Sequence, residues 1–369
     1  MFWGVMSLIG IAGALGAAYF VTRSYCDRLE RQCRTLSRAR FLDPYSNQGV
    51  SSPSLFSEPT KFLSVVFPAY EEEDRLPSTL QETFDYLSRR RSQRGSGFSF
   101  EIIVVDDGSR DGTSARALEF SKKHGTDYVR VLKLEKNVGK GAAVREGMLR
   151  CRGAICLFAD SDAATEFSDI EKLEAQLRYV AANQSEPEND EDVIEARWIG
   201  EGPASKRKEA RNRPLSRDIH DYDLCIASKL GAVFGSRAHL EKAALARRAF
   251  HRNVLTHGFH FLVAFVVGKR IKDTQCGFKL FTRSTASKLF PNQRMRRYCF
   301  DVELIRLAQK FKVPLAEVNV KWTEVAGSKV KFHHIAQMAW ELVLIKLGHG
   351  ILDRWELKGA DWLEHKKEI

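Results

Sequence analysis

Four apolar runs of strand length alternate with three helix-periodic segments in the first half of the chain, and this alternation restricts the fold more than any other feature. The runs are FLSVVFPAY (62–70), EIIVVDDGS (101–109), VRVLKLE (129–135) and ICLFADSD (155–162). Between them lie LPSTLQETFDYLSRRR (76–91), TSARALEFSKKHG (113–125) and GAAVREGMLRCRG (141–153), the first opened by Pro77 and the second stopped by Gly125. Strands alternating with helices in tandem predict a parallel, doubly wound α/β sheet. Such sheets bind ligands outside the carboxyl ends of their strands. Pro68–Glu72, Asp106–Asp107 and Asp160–Asp162 all fall at those ends, so three polar or acidic clusters converge on one edge.

Asp160 and Asp162 close the last run with a single serine between them. Residues two apart on a strand share a face, and adjacent carboxylates repel unless a cation lies between them. A solvated strand end is the plain alternative, and the convergence of three clusters argues against it. Hard carboxylate oxygens suit Mg²⁺ or Mn²⁺, which combine one or two carboxylates with substrate phosphates. KNVGKGAAVREG (136–147) has the look of a phosphate loop but not the G-x-x-x-x-G-K-[ST] spacing, which excludes a P-loop NTPase. Lys140 remains a candidate for contact with phosphates.

The 369 residues carry a net charge of +11, which favours an anionic partner: nucleic acid, a phosphorylated ligand or an acidic membrane surface. Seven scattered cysteines without a CxxC pair suit a reducing compartment better than a disulfide framework or a zinc site. Residues 2–21 are uncharged, long enough to span a bilayer core at about 1.5 Å per residue, and followed by six arginines between 23 and 40. Residues 1–22 are therefore expected to anchor the chain, with the bulk on the cytosolic side. A cleaved signal peptide is the rival, but the segment lacks a basic n-region. A juxtamembrane linker follows over 23–60, a catalytic domain over 61–353 and a tail over 354–369. Within the domain, 183–229 is first acidic and then basic, with few residues for a core, and reads as a disordered insertion. Its KRK cluster (206–208) resembles a nucleic-acid signal, but in an anchored chain it reads as a solvated or lipid-touching loop, and no nucleic acid is expected. VLTHGFHFLVAFVVG (254–268) is short for a span, and nearby arginines favour an interfacial helix over a buried one. AQMAWELVLIKLGHGIL (336–352) is a second candidate. His257, His260, His333 and His334 form no metal motif and are taken as structural.

VVFPAYEEEDRLP, EIIVVDDGSRDGTS, KNVGKGAAVREGM, FADSDAAT, FGSRAHL and DTQCGFKLFTR occur in an order that resembles the family 2 inverting glycosyltransferases of the GT-A fold, a Rossmann-like, mostly parallel sheet flanked by helices. DTQCGFKLFTR (273–283), FDVELIRLAQ (300–309) and WTEVAGSK (322–329) are similar to the dolichyl-phosphate glucosyltransferase branch. The resemblance covers roughly 60–182 and 230–350. It implies a metal-dependent hexosyltransferase with UDP-glucose, dolichyl phosphate and the lipid bilayer as partners. Its product would be dolichyl β-D-glucosyl phosphate, the lumenal glucose donor for N-glycan assembly, made at the cytosolic face of the endoplasmic reticulum membrane. It implies a nucleotide-sugar pocket of Pro68, Tyr70, Glu72, Asp107, Lys140, Asp160 and Lys329, with Asp107 accepting from the uracil N3–H and Asp106 supporting the turn. Asp160 and Asp162 would hold the Mg²⁺ or Mn²⁺, Arg237 and Arg252 the acceptor phosphate, and Asp273 would join Asp162 as a catalytic residue, chiefly by orienting Arg237, Lys279 or the sugar hydroxyls. Glu71 departs from the family's usual asparagine, which puts that one contact in doubt. The alternatives are mannosyl transfer from GDP-mannose and a non-catalytic, membrane-tethered nucleotide-sugar-binding protein.

Overall fold

The computed structural model describes residues 19–32, 39–46, 48–50, 52–183, 225–240, 258, 261–268, 270–325, 332–351 and 355–357. The four predicted strands form the centre of one sheet: β3 (Lys61–Ala69), β4 (Phe100–Asp106), β5 (Val129–Lys133) and β6 (Gly153–Ala159). Short strands β1 (Phe41–Leu42) and β2 (Gly49–Val50) precede them, and β7 (Ala232–Ser236), β8 (Phe278–Thr282) and β9 (Leu315–Asn319) follow. The order is β2-β1-β5-β4-β3-β6-β8-β7-β9. The sheet expected to be mostly parallel is mixed. Pairs β3–β4, β3–β6, β4–β5 and β7–β9 are parallel, and the other four are antiparallel. The β-α alternation carries on through the helix Ile170–Ala182 to β7, which stays parallel to β6; β8 enters against both its neighbours, and β1 and β2 add antiparallel pairs at the far edge.

Helices cover both faces. Leu63, Val65, Phe67, Ile102, Val104, Ile155 and Leu157 point to one core, with Leu80 of helix α2 (Leu76–Arg94), Ala117 of α3 (Thr113–His124) and Leu173 of α5 (Ile170–Ala182). Their alternates Val66, Ile103, Val105, Cys156 and Phe158 point to the other, with Val144 of α4 (Lys140–Met148) and Leu304 of the helix Phe300–Lys310. Strands buried on both faces read as continuous apolar runs, as these do. Helix α4 ends at Met148 rather than at Gly153, because Gly153 already belongs to β6. A Cβ there would stand 2.5 Å from the Ser64 backbone nitrogen.

Residues 2–18 of the expected anchor and 184–224 of the expected insertion lie outside the described residues. No helix among the described residues is long and apolar enough to cross a membrane. Residues 19–32 form helix α1. Cys26, Leu29 and Glu30 are buried against the domain, whereas Tyr19, Phe20 and Val21 face outwards. The two short strands of the linker span join the sheet, and Trp355, in the span read as a tail, is buried in the core. Residues 261–267 and the helix Phe332–Lys346 each bury one face (Val263, Val266; Leu342, Ile345) and expose another (Phe261, Phe265; Trp340, Val343). The three helices meet: Tyr25 and Trp340 stack edge-on at 6.5 Å, and the Lys346 ammonium lies 4.8 Å from the Phe265 ring. Core packing and an apolar outward face thus coexist in the segments read as interfacial.

At the amino end of β4, the buried Glu101 carboxylate accepts from Arg130 Nε (3.0 Å), Arg152 Nε (2.7 Å) and the Arg152 backbone (2.7 Å). Burial alone would raise this carboxyl, but the two guanidinium groups hold it below the usual glutamate range. A lowered folded-state pKa stabilises the protein above the unfolded value of about 4.3, and that contribution is lost as pH falls through the folded value. Glu101→Gln should cost about 3–5 kcal/mol at neutral pH by leaving Arg130 buried without its counter-charge. In urea titrations the gap from wild type should narrow as the pH falls from the unfolded value of about 4.3 through the lowered folded value, where the wild-type carboxylate protonates as well. A gap that persists there would remove the charge from the explanation.

Candidate active site

β7 runs parallel to β6 and β8 runs against it, so one edge of the sheet collects the carboxyl ends of β3, β4, β6, β7 and β9 and the amino end of β8. The strand order reverses at β3 and β6, the crevice where doubly wound sheets take ligands.

Asp160 and Asp162 are not strand neighbours. β6 ends at Ala159, and the pair sits in the turn beyond it. Three contacts shape that turn. The Asp160 backbone donates to Gly277 O (2.9 Å), Ser161 Oγ donates to Pro68 O (3.1 Å), and Thr79 Oγ1 donates to Ser161 O (3.0 Å). Asp162 Oδ1 accepts from Ala164 N at 3.1 Å across Ala163, whose φ of 55° costs a non-glycine about 1–2 kcal/mol. A Cβ on Gly277 would stand 2.2 Å from the Asp160 carboxyl carbon, so any larger residue there would displace that carboxylate. Burial and then the Asp160 charge raise the Asp162 carboxyl above the usual aspartate range. Asp160 Oδ1 is buried and receives no well-directed hydrogen bond; its close neighbour is the Lys140 ammonium, 2.5 Å away. Against the pull of burial, Asp160 and then Asp301 hold that ammonium above the usual lysine range.

Two carboxylates at a glycine cradle, Asp160 already ion-paired with the Lys140 ammonium, fit a hard divalent cation that draws its remaining ligands from phosphates. Among the described residues no group of three or more His, Cys, Asp or Glu is placed to hold a metal. The pair alone would therefore be an incomplete site without a phosphorylated ligand.

Lys140 opens α4, but the helix does not present a free phosphate cradle. Gly141 N donates to Arg297 O (3.2 Å) and Ala142 N to Arg296 O (2.9 Å). Only the Lys140 side chain reaches the acidic turn. Asp107 closes the other wall, with its oxygens accepting from Val138 N and Gly139 N, both at 2.8 Å. Each oxygen keeps a lone pair for a further donor. Asp106 accepts from Ser109 N (2.9 Å) and from the Ser114 hydroxyl, in its expected turn-supporting role. Tyr70 is part-exposed at the β3 exit, and the Glu71 carboxylate raises its phenol. Glu71 itself is left-handed (φ 53°), a conformation asparagine adopts more readily than glutamate. Both Glu72 oxygens are taken by Arg75, at 2.7 Å each, so Glu72 acts on Arg75, whose charge in turn favours ionised Asp162.

Across the turn, Asp273 grips Arg237 through Nε (2.7 Å), Nη2 (2.9 Å) and the backbone N–H (2.9 Å). Despite burial, this pairing holds Asp273 below the usual aspartate range. Arg237 also lies 5.4 Å over the Trp322 ring. Residues 321–323 are zipped to 164–166 by Glu166 N to Lys321 O (3.1 Å) and Thr323 N to Ala164 O (2.8 Å). Alongside these paired segments opens a cleft of about 500 Å³ lined by Ala163, Ala164, His239 and Trp322. Lys329 and Arg252 lie outside the described residues.

Lys279 and Asp301 carry more of the site than sequence reasoning allowed. Fully buried, Lys279 donates to Asp301 Oδ1 (2.6 Å) and Cys276 O (2.5 Å), between the rings of Phe158 and Phe234. A lysine in the apolar run FKLFT demands a buried carboxylate, and that was the available signal.

Burial pushes the Asp107 carboxyl up to about 6, against the two backbone N–H groups it accepts. The amide proton shifts of Val138 and Gly139 should therefore titrate with a midpoint near that value, and Asp107→Asn should abolish the step. A flat shift in the wild type would place the transition elsewhere.

The profile described as glycosyl transferase family 2 matches residues 64–218. The dolichyl-phosphate β-glucosyltransferase of Drosophila melanogaster is 45% identical over 306 residues, 83% of this chain and 80% of that protein. The Homo sapiens protein of the same name is 43% identical over 83% and 81%, and that of Saccharomyces cerevisiae 35% over 78% and 75%. Among solved structures, glucosyl-3-phosphoglycerate synthase from Mycobacterium tuberculosis, with Mn²⁺, UDP-glucose and glycerol 3-phosphate, is similar over 82% of each chain. At 17% identity and a TM-score of 0.44 it is too distant to inform the site.

Proposed function

The chain belongs to the dolichyl-phosphate β-glucosyltransferases of glycosyltransferase family 2, and from that membership we propose that it transfers glucose from UDP-glucose to dolichyl phosphate with inversion. One juxtaposition supports the reading above others. The acidic turn beneath Lys140 and the Asp273-held Arg237 meet at Gly277, whose carbonyl accepts from Asp160. The first cluster suits a nucleotide diphosphate and the second a phosphate acceptor, and the cleft by Trp322 adjoins both.

Asp160 and Asp162 would hold Mg²⁺ or Mn²⁺, which when bound supplies neutralisation of the departing diphosphate. Lys140 adds a positive charge on the same side. Asp107 and Tyr70 would bound the uracil base, Asp107 through its spare lone pairs. Arg237 spends two side-chain N–H groups on Asp273 and keeps three, enough to take two phosphate oxygens. A phosphomonoester with a second pKa near 6 is largely dianionic at pH 7, so the acceptor oxygen needs placement rather than deprotonation. Asp273, pulled below the usual range by Arg237, is a weak base and a strong orienter.

The purified full chain, assayed with dolichyl phosphate and a panel of nucleotide sugars, should transfer glucose from UDP-glucose and leave GDP-mannose unused. Chelation, Asp160→Asn or Asp162→Asn should each lower the rate by at least about 10²-fold, the scale of losing a group that stabilises transition-state charge. Transfer from GDP-mannose alone, or full activity in excess chelator, would sink the corresponding part of the reading.

Asp273→Asn should reduce kcat by about 10²–10³ through disorientation of Arg237 while leaving the shape of the pH–rate profile between 6 and 9 unchanged. Recovery of near-normal rate as the pH rises would identify Asp273 as a general base instead.

A further inference from the structure

Residues 293–299 form a strap between the donor side of the site and the helices with exposed apolar faces, and they are bonded to both. Towards the site, Gln293 Nε2 donates to Gly141 O (2.8 Å), while Arg296 O and Arg297 O accept from the first turn of α4. The contact leaves no slack. A Cβ on Gly139 would stand 2.5 Å from Arg296 O, and one on Gly141 2.8 Å from Met295 O. Gly139 N and Val138 N in turn hold Asp107, and Lys140 lies between the two glycines.

Away from the site, Arg294 Nε donates to Glu30 Oε2 of helix 19–32 at 2.7 Å, with both side chains buried. Arg294 Nη2 donates to Glu356 O (2.7 Å), and its guanidinium lies 5.6 Å over the Trp355 ring. The indole N–H of Trp355 donates to Cys26 O of the same helix at 3.1 Å. Arg296 Nη1 reaches Gln32 Oε1 at 3.4 Å. The backbone N–H groups of Arg294 and Met295 share Glu303 Oε2 (2.8 and 2.7 Å), and Cys299 N donates to Glu341 Oε2 (2.9 Å) on the helix Phe332–Lys346.

We propose that Arg294 is a positioning residue for the nucleotide, acting through residues 295–297, and that helix 19–32 supports the donor pocket through Glu30 rather than serving as a tether alone. The proposal rests on the donor reading above. A buried guanidinium deprived of its carboxylate must move or draw in water, and either displaces the backbone on which it stands. Contacts as close as those of Met295 O and Arg296 O pass that displacement directly to Gly139 and Gly141, hence to Asp107 and Lys140. A clamp that only stabilised the fold would lower the melting temperature and leave nucleotide and acceptor parameters unchanged relative to each other.

The test uses the full chain in detergent, with UDP and GDP as calorimetric probes and steady-state kinetics beside them. In Glu30→Gln and Arg294→Met, UDP affinity should fall about tenfold, about 1.4 kcal/mol, and the KM for UDP-glucose should rise with it. The KM for dolichyl phosphate should stay within about twofold, and Arg294→Lys should recover part of the UDP affinity. If Arg294→Met does not fold, Trp355→Phe, which keeps a ring but loses the donation to Cys26, and Gln32→Ala decide by the same split. Folded variants with wild-type UDP affinity, or with donor and acceptor KM rising alike, overturn the proposal. A wild type that binds GDP in place of UDP overturns the donor reading instead, and the strap comparison is then read with GDP.

Discussion

A fully buried lysine cannot stand alone, and the pairing of Lys279 with Asp301 is the constraint on which the site depends. The ammonium lies between Phe158 of β6 and Phe234 of β7, and it ties β8 to the helix Phe300–Lys310. Its second bond, to Cys276 O, fixes the loop that carries Asp273 on one side and Gly277 on the other. Removing either charge would leave the other stranded in an apolar interior, a cost of several kcal/mol. The pair therefore sets where two functional clusters stand relative to each other without itself facing the cleft.

From that anchor the site divides into halves of different origin. The acidic half comes from the tandem β-α units, with Asp107 after β4, Lys140 at the head of α4 and Asp160 after β6. The other half comes from the later strands, of which only β8 breaks the parallel order: Arg237 after β7, Asp273 before β8 and Trp322 after β9. They meet because β8 enters antiparallel, which brings the segment before it to the edge where β6 ends. The Asp160–Gly277 hydrogen bond is the seam. Charges of both signs alternate across it, Lys140 on Asp160 and Asp273 on Arg237, so each ionised group has a partner before any ligand arrives.

Helix 19–32 has a double character for a physical reason. Thr22, Cys26, Leu29 and Glu30 face the domain, so one side of the helix docks through apolar contacts and a buried ion pair, while Tyr19, Phe20 and Val21 leave its first described turn apolar and exposed. The helix Phe332–Lys346 repeats the division, with Glu341 inward and Trp340 outward. The strap at 293–299 lies where these inward rows converge.

By itself the sequence determined the α/β layering, the positions of the four central strands and the gathering of acidic clusters at their carboxyl ends. These follow from local periodicity and from turn residues such as Pro77 and Gly125, which act over a few positions. The Arg237–Asp273 pairing was legible only as one of three alternatives, beside Lys279, which the structure gives to Asp301, and the sugar hydroxyls. Only the tertiary structure decided that the sheet is mixed, that Glu72 is taken up by Arg75, and that the α4 N-terminus is closed by carbonyls of residues 296 and 297. The same holds for Lys279 and Asp301, and for Arg294 and Glu30, which are 22 and 264 positions apart. No periodicity spans such distances. A buried charge advertises in sequence that it needs a partner, and only the packing of the folded chain determines which partner it finds.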